Sequence, residues 1–422
     1  MDVTTPESLR VFKALGERYE DGSYFNENLE VACHCGANTY KFPVNWPVDK
    51  KFTDIRLCQC SDCRLQTGNL ASWLVRAPGR PFDPESTPET LTAYKISTST
   101  TRYFCRVCSS QLFHRHIKAG SSLSSSEGDT ADSDGFWIFT GCLKLPNKTQ
   151  FRLGLVGFVD KTPDGGLASW LPDAEYTDSC GIKITGEHIK RLHSSRSTSS
   201  GTEKLQGGCH CSNIRLRLSR QTGKEEERPP FTFSDNTDLV IPHWTSAEQQ
   251  PPIDWENPWW IRDQLPSLEG KRFLGGHCTC VSCRTIAGTE VQSWIFVATS
   301  CIELILPDGE VIQWPSRETL VRGLDKRLTN IMGIYQSTPG DPGVVRGFCK
   351  ECGANIFWDG FTRKNLIDLS AGLFSIEGTK EREWIEWWTE RVSFVEDTKG
   401  RHDIGTLMER GLREWRVTVG IA

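Results

Sequence analysis

The stretch Cys58-Gln59-Cys60-Ser61-Asp62-Cys63-Arg64 sets three thiols at positions i, i+2 and i+5, and it returns as Cys278-Thr279-Cys280-Val281-Ser282-Cys283-Arg284. Before the first copy stands Cys33-x-Cys35 and after it Cys105-x-x-Cys108; Cys209-x-Cys211 and Cys349-x-x-Cys352 flank the second copy in the same order. Fourteen of the 17 cysteines therefore fall into two ordered sets of seven. The surroundings repeat too: ACHCG at 32–36 faces GCHCS at 208–212, and CQCSDCRLQTGNLASWLV at 58–75 faces CTCVSCRTIAGTEVQSWIFV at 278–297. Near the end of each copy, Phe158-Val159-Asp160-Lys161-Thr162 faces Phe394-Val395-Glu396-Asp397-Thr398. Repetition of this extent predicts a tandem duplication of a whole domain.

A chain of 422 residues has room for two or three domains, each with its own core. The expected division is an N-terminal extension at 1–25, a first zinc domain at 26–186, a linker at 187–203 and a second zinc domain at 204–422 with an aromatic insertion at 220–272. The linker expectation rests on the polar, Ser-rich run EHIKRLHSSRSTSSGTEKLQ at 187–206. Cys35 and Cys58 lie 23 positions apart and Cys211 and Cys278 lie 67 apart, so the second copy carries 44 extra residues, which belong in a surface loop. A low-complexity run, SSLSSSEGDTADSDG at 121–135, predicts a disordered loop that tolerates deletion of 122–133.

The net charge of −5 gives no overall attraction for nucleic acid or an anionic membrane. No apolar run approaches the roughly 20 residues of a membrane span, and the start, MDVTTPESLRVF, has no signal-peptide core. A cytoplasmic location is expected, and in a reducing compartment 17 cysteines point to metal ligation rather than disulfides.

Fifteen Trp and 37 Gly suggest loop-rich β structure with aromatic packing. SWLVRA, GFWIFTG, QSWIFVAT and ANIFW read as strands, and little helix is expected. The exceptions are PESLRVFKALGERYE near the start and GTLMERGLREW near the end.

Structural zinc takes four protein ligands, whereas catalytic zinc takes three and leaves one position open. Seven cysteines divide accordingly. The remote pairs can close four-thiolate sites from Cys33, Cys35, Cys105 and Cys108, and from Cys209, Cys211, Cys349 and Cys352. Cys58, Cys60, Cys63 and Cys278, Cys280, Cys283 then remain as open triads. Spacing alone also admits other partitions, such as two C-x-x-C pairs with one orphan.

These blocks, with FVDKTPDGGLASWL at 158–171, resemble the glutathione-dependent formaldehyde-activating enzyme and centromere protein V family over roughly 28–180 and 204–400. The resemblance implies a mainly β, Mss-four-like fold and supports the four-plus-three split, with up to four zinc ions per chain and the triads catalytic. It also implies a carbon-sulfur lyase activity, S-(hydroxymethyl)glutathione synthase, with glutathione and an aldehyde as partners. Ser109 replaces the glycine that ends the late block, kept as Gly353, and Ser212 replaces Gly36; both changes are expected to bear on turns beside the four-thiolate sites.

Outside the ligand set, strand alternation would turn His34 and His210 away from the flanking thiolates. Arg64 and Arg284 follow the triads and are expected either to hold a substrate carboxylate or to be surface or carbonyl-bonding arginines. Cys142, Cys180 and Cys301 are expected to be ordinary thiols. Trp244, Trp255, Trp259 and Trp260 in the insertion form a lid or partner surface, or pack on their own domain. The rival to an enzyme is a noncatalytic zinc-stabilised interaction module.

Overall fold

Short β-branched and aromatic runs punctuated by Gly, Pro and polar clusters fold as strands. The computed structural model describes residues 24–47, 52–117, 134–144, 150–192, 203–220, 260–262, 271–337, 343–360, 365–375, 380–398, 401 and 404–419. The four expected strands are present as Ser72–Arg76, Asp134–Phe139, Gln292–Ala298 and Asn355–Asp359. The protein is mainly β.

Among the described residues, one nine-stranded sheet carries most of the first half. Its spatial order runs through Lys183–Ile184, Glu175–Thr177, Gln150–Gly157, Phe52–Cys58, Ser72–Arg76, Asp134–Phe139, Gln111–Ile117 and Thr100–Cys105 to Leu91–Lys95. A sheet in the second half orders Ile261–Arg262, Arg272–Cys278, Gln292–Ala298, Leu366–Ser370, Asn355–Asp359, Val345–Cys349 and Met332–Gln336, with Ile385–Trp387 alongside Arg272–Cys278. Register agrees between them: Leu91 pairs with Cys105 and Met332 with Cys349, so Tyr94 faces Arg102 as Tyr335 faces Arg346. Cys33 and Cys209 follow the hairpin strands Tyr24–Ala32 and Lys204–Gly208 of two smaller sheets.

The halves meet along the segments that follow the triads. Helices Ser61–Thr67 and Val281–Ala287 end on Gly68 (φ 75°) and Gly288 (φ 71°), left-handed caps that favour glycine. A Cβ on Gly68 would lie 2.2 Å from the Asn355 carbonyl oxygen, and one on Gly288 2.6 Å from that of Gln111. Each cap is thus pressed against the opposite half. Backbone bonds Gly141 N–H to Gly288 O and Gly372 N–H to Gly68 O, both 3.1 Å, reinforce the seam. So do Asn69 Nδ2 donating to the Val291 carbonyl and Gln111 Nε2 to that of Gly353.

Two buried ion pairs brace it: Lys380–Asp164 crosses from one half to the other, and Arg401–Glu290 lies within the second half while Arg401 reaches carbonyls of the first. Arg401 bonds both Glu290 oxygens, at 3.0 and 2.8 Å, and donates to the carbonyls of Leu143 and Thr140. Lys380 lies 3.5 Å from Asp164 between the Trp170 and Trp415 rings, donating to the Asp164 carbonyl at 2.7 Å. Such pairs persist in low dielectric because their remaining polar atoms are bonded. The C-terminal helix Ile404–Thr418 is close to expectation, and Gly411 lets it approach Trp170, whose carbonyl oxygen would be 2.1 Å from a Cβ.

Several expectations need correction. The anticipated linker begins as a helix, Gly186–Leu192, anchored by buried Ile189. Short helices at the triads and at Arg317–Arg322 and Lys326–Ile331 add helix not foreseen. Ser109 (φ 59°) and Ser212 (φ 62°) keep the left-handed turn of Gly353 (φ 75°) and Gly36 (φ 78°), so neither replacement changes the turn. The expected N-terminal helix, the run 122–133 and Trp244, Trp255 and Trp259 lie outside the described residues. Trp260 packs on its own half against Ile261, Leu274, Phe296 and Leu366.

Candidate metal centres

Four cysteine clusters form. Cys33, Cys35, Cys105 and Cys108 gather in one, Cys209, Cys211, Cys349 and Cys352 in a second, and the two triads remain separate; within each cluster the sulfurs lie within 4.8 Å of one another. Of the partitions open to spacing, the four-plus-three grouping is the one brought together. All 17 cysteines are free thiols.

Sulfur spacing tests whether the clusters fit a metal. Cys33–Cys35 and Cys209–Cys211 stand 3.5 Å apart, Cys35–Cys105 3.6 Å, and Cys58–Cys60 and Cys211–Cys349 3.4 Å. A disulfide is near 2.05 Å, whereas four thiolates about 2.3 Å from a tetrahedral ion sit about 3.8 Å from one another. The donor sets fit a thiophilic metal. No His, Asp, Glu or fourth Cys joins either triad among the described residues.

Chain geometry explains the placement. Extended Cys60 and Cys280 precede seven-residue helices, about two turns each, that bring Cys63 and Cys283 back to the first two sulfurs. The residue inside each C-x-C is tied to the late repeated block: Gln59 N–H donates to the Gly157 carbonyl and its Oε1 accepts from Ala168 N–H, while Thr279 donates from N and Oγ1 to the Ser393 carbonyl. Phe158 (φ 62°) and Phe394 (φ 58°) share a strained left-handed backbone at the turns that make this bracing possible. In both triads the third thiol is held well below the ordinary range by hydrogen bonds from its two partners, with Arg102 adding to the effect on Cys63 and Arg346 to that on Cys283. The second thiol of the first triad, Cys60, is pushed up to about 12: Cys58 lowers it, but Cys63 and burial outweigh that.

Those arginines are the site residues that reading the cysteines alone overlooked. Arg102 Nη2 lies 2.8 Å from Cys63 Sγ, and Arg346 Nη1 and Nη2 lie 3.7 Å from Cys283 Sγ. The signal was available, since Arg102-Tyr103-Phe104-Cys105 faces Arg346-Gly347-Phe348-Cys349. Arg64 and Arg284 are buried instead, at 2 % and 5 % exposure. Arg64 donates to the carbonyls of Gln59 and Ser375, so the carbonyl-bonding role is observed and the surface placement is corrected.

His34 and His210 stand outside the ligand sets, each reaching the other half: His34 Nδ1 is 2.8 Å from Tyr335 Oη and His210 Nδ1 2.7 Å from Tyr94 Oη. Cys142 is buried, its thiol donating to the Gln111 and Thr285 carbonyls; Cys301 is buried and Cys180 exposed.

The geometry defines a β protein with paired closed and open thiol clusters. The family model described as glutathione-dependent formaldehyde-activating enzyme matches residues 28–135, which hold Cys33, Cys35, the first triad, Cys105 and Cys108. No curated protein and no solved structure matches the chain. No helix among the described residues is long and apolar enough to cross a membrane.

Proposed function

We propose that the chain is a zinc-dependent carbon-sulfur lyase or synthase of two tandem, Mss-four-like domains, joining a thiol such as glutathione to an aldehyde such as formaldehyde or splitting the adduct. The observation that carries this reading is the pair of three-sulfur clusters with no fourth ligand among the described residues. Cys33, Cys35, Cys105 and Cys108, and Cys209, Cys211, Cys349 and Cys352, hold structural zinc; Cys58, Cys60 and Cys63, and Cys278, Cys280 and Cys283, hold zinc with an open position. Zinc there supplies a positive charge that favours the thiolate form of an incoming thiol at neutral pH.

The chain's own residues orient the partners. Gln59 and Thr279 fix the C-x-C backbones, and Arg102 and Arg346 offset the negative charge of three thiolates in a buried setting. In the synthetic direction a sulfur-carbon bond forms, the carbonyl π bond breaks, and the thiol proton ends on the new hydroxyl.

The test is turnover of formaldehyde with a panel of thiols in the zinc-loaded protein and in a Cys60→Ser/Cys280→Ser double variant with native circular dichroism. Loss of at least 100-fold in turnover is expected. Unchanged turnover in the folded double variant rejects the triads as the reaction centre.

A further inference from the structure

The two triads differ in the polar groups that face them. Arg102 is 1 % exposed, with Nη2 on Cys63 Sγ and its guanidinium 4.8 Å from the Phe139 ring centroid, yet Nε and Nη1 are buried without any hydrogen-bond partner. Buried guanidinium N–H groups are normally bonded, and leaving them bare is strongly unfavourable. Directly across the strand pair from Arg102 lies His114, whose Nδ1 is also buried and unpartnered.

At the second triad Arg346 Nε donates to Ser337 Oγ at 3.1 Å. The equivalent position in the first half is Ile96, which has no side-chain oxygen; Ile96 N–H bonds Thr100 O as Ser337 N–H bonds Val344 O. Opposite Arg346 stands Trp358, packed against Cys278, Cys283 and Trp294. Two first-triad residues, Cys58 and Cys60, are partly exposed, whereas only Cys280 is so in the second.

We infer that the first triad is the ligand-binding centre and selects thiols that carry an anionic oxygen, which the unspent donors of Arg102 receive, while the second triad does not discriminate. This rests on the reading of the triads as open thiol-binding sites. A thiol completing the tetrahedron would stand about 3.8 Å from Cys63 Sγ, the atom that Arg102 already touches, so a spacer of two or three carbons brings a carboxylate to the guanidinium. Charge-assisted bonds in a water-poor setting make that contact selective.

The experiment uses the full chain loaded with cobalt(II), whose absorption bands report ligand exchange, titrated with 3-mercaptopropionate and with neutral 3-mercapto-1-propanol. The expected result is about tenfold tighter binding of the anionic thiol. That preference should persist in Cys280→Ser, disappear in Cys60→Ser, fall in Arg102→Gln and survive in Arg346→Gln. Should Arg102→Gln fail to fold, Ile96→Ser gives Arg102 the oxygen that Arg346 already has and should reduce the preference with cobalt stoichiometry intact. Thiol binding without a charge preference, or with equal losses in Arg102→Gln and Arg346→Gln, overturns this inference alone. Bands insensitive to either thiol overturn the open-site reading and the inference with it.

Discussion

His34, the residue between two clustered cysteines of the first half, bonds Tyr335 of the second at 2.8 Å, and His210 bonds Tyr94 at 2.7 Å with the roles of the halves exchanged. The ring pairs share a geometry, with centroids 5.6 Å apart and planes at 83°. Each four-sulfur loop therefore touches the opposite half through its central side chain.

A double-mutant cycle on His34→Ala and Tyr335→Phe should give a coupling of about 0.5–1.5 kcal/mol in urea unfolding of the metal-loaded protein. Strict additivity would mean that the pair does not hold the halves together.

Stability should depend on metal at the four-sulfur sites far more than at the triads. Cys105 joins the end of strand Thr100–Cys105 to sulfurs 70 positions away in sequence, so Cys105→Ser or strong chelation should abolish cooperative folding. The apparent binding energy of a structural site is about 10–16 kcal/mol. Cys60→Ser should retain a cooperative transition. Equal loss of structure from both substitutions, followed by circular dichroism, contradicts the division of roles.

Glu290 titrates low: burial pushes its carboxyl up, but Arg401 outweighs that and brings it from an ordinary 4.5 to about 2. The stabilisation is complete above pH 4.5 and is lost as pH falls towards 2, an upper bound of about 3 kcal/mol. At pH 7, Glu290→Gln should cost about 3–5 kcal/mol by leaving Arg401 buried without its partner. The gap between wild type and variant should narrow below pH 4.5. A gap that is constant from pH 7 to pH 3 would show that the pair is not its source.

Ser212 occupies a left-handed turn at φ 62°, so Ser212→Gly should stabilise by about 1 kcal/mol. At Gly36 a Cβ meets nothing within 4 Å, and Gly36→Ala should cost only the matching backbone strain, about 1–2 kcal/mol. Gly68→Ala must also displace the Asn355 carbonyl and should be worse by several-fold in ΔΔG. Similar thermal shifts for Gly36→Ala and Gly68→Ala would refute the tight seam.

Strands Gln111–Ile117 and Asp134–Phe139 are antiparallel with Ile117 opposite Asp134, so their facing ends need only a short connection. Deleting 122–133 should leave metal content and melting temperature nearly unchanged. Loss of metal from the first half on deletion would show that the segment supports the fold.

The cysteine groupings and major strands were legible because thiol spacing and short apolar runs are local signals. The helices beside the triads were not, since seven residues such as Ser61–Thr67 span too little sequence for a 3.6-residue period to emerge. Arg102 and Arg346 share a repeated R-x-F-C pattern, but their roles depend on a strand turning them towards cysteines 39 and 63 positions earlier. The contacts of Gly68 with Asn355 and of Arg401 with the Leu143 carbonyl were hidden for another reason: how one half docks on the other is set by tertiary shape, which no window along the chain contains.

The caps at Gly68 and Gly288, each seated on a carbonyl of the opposite half, make the two parts mechanically interdependent. A protease nick between 193 and 202 would accordingly release no free fragment under native conditions. The severed pieces would travel as one particle through gel filtration and part only in denaturant.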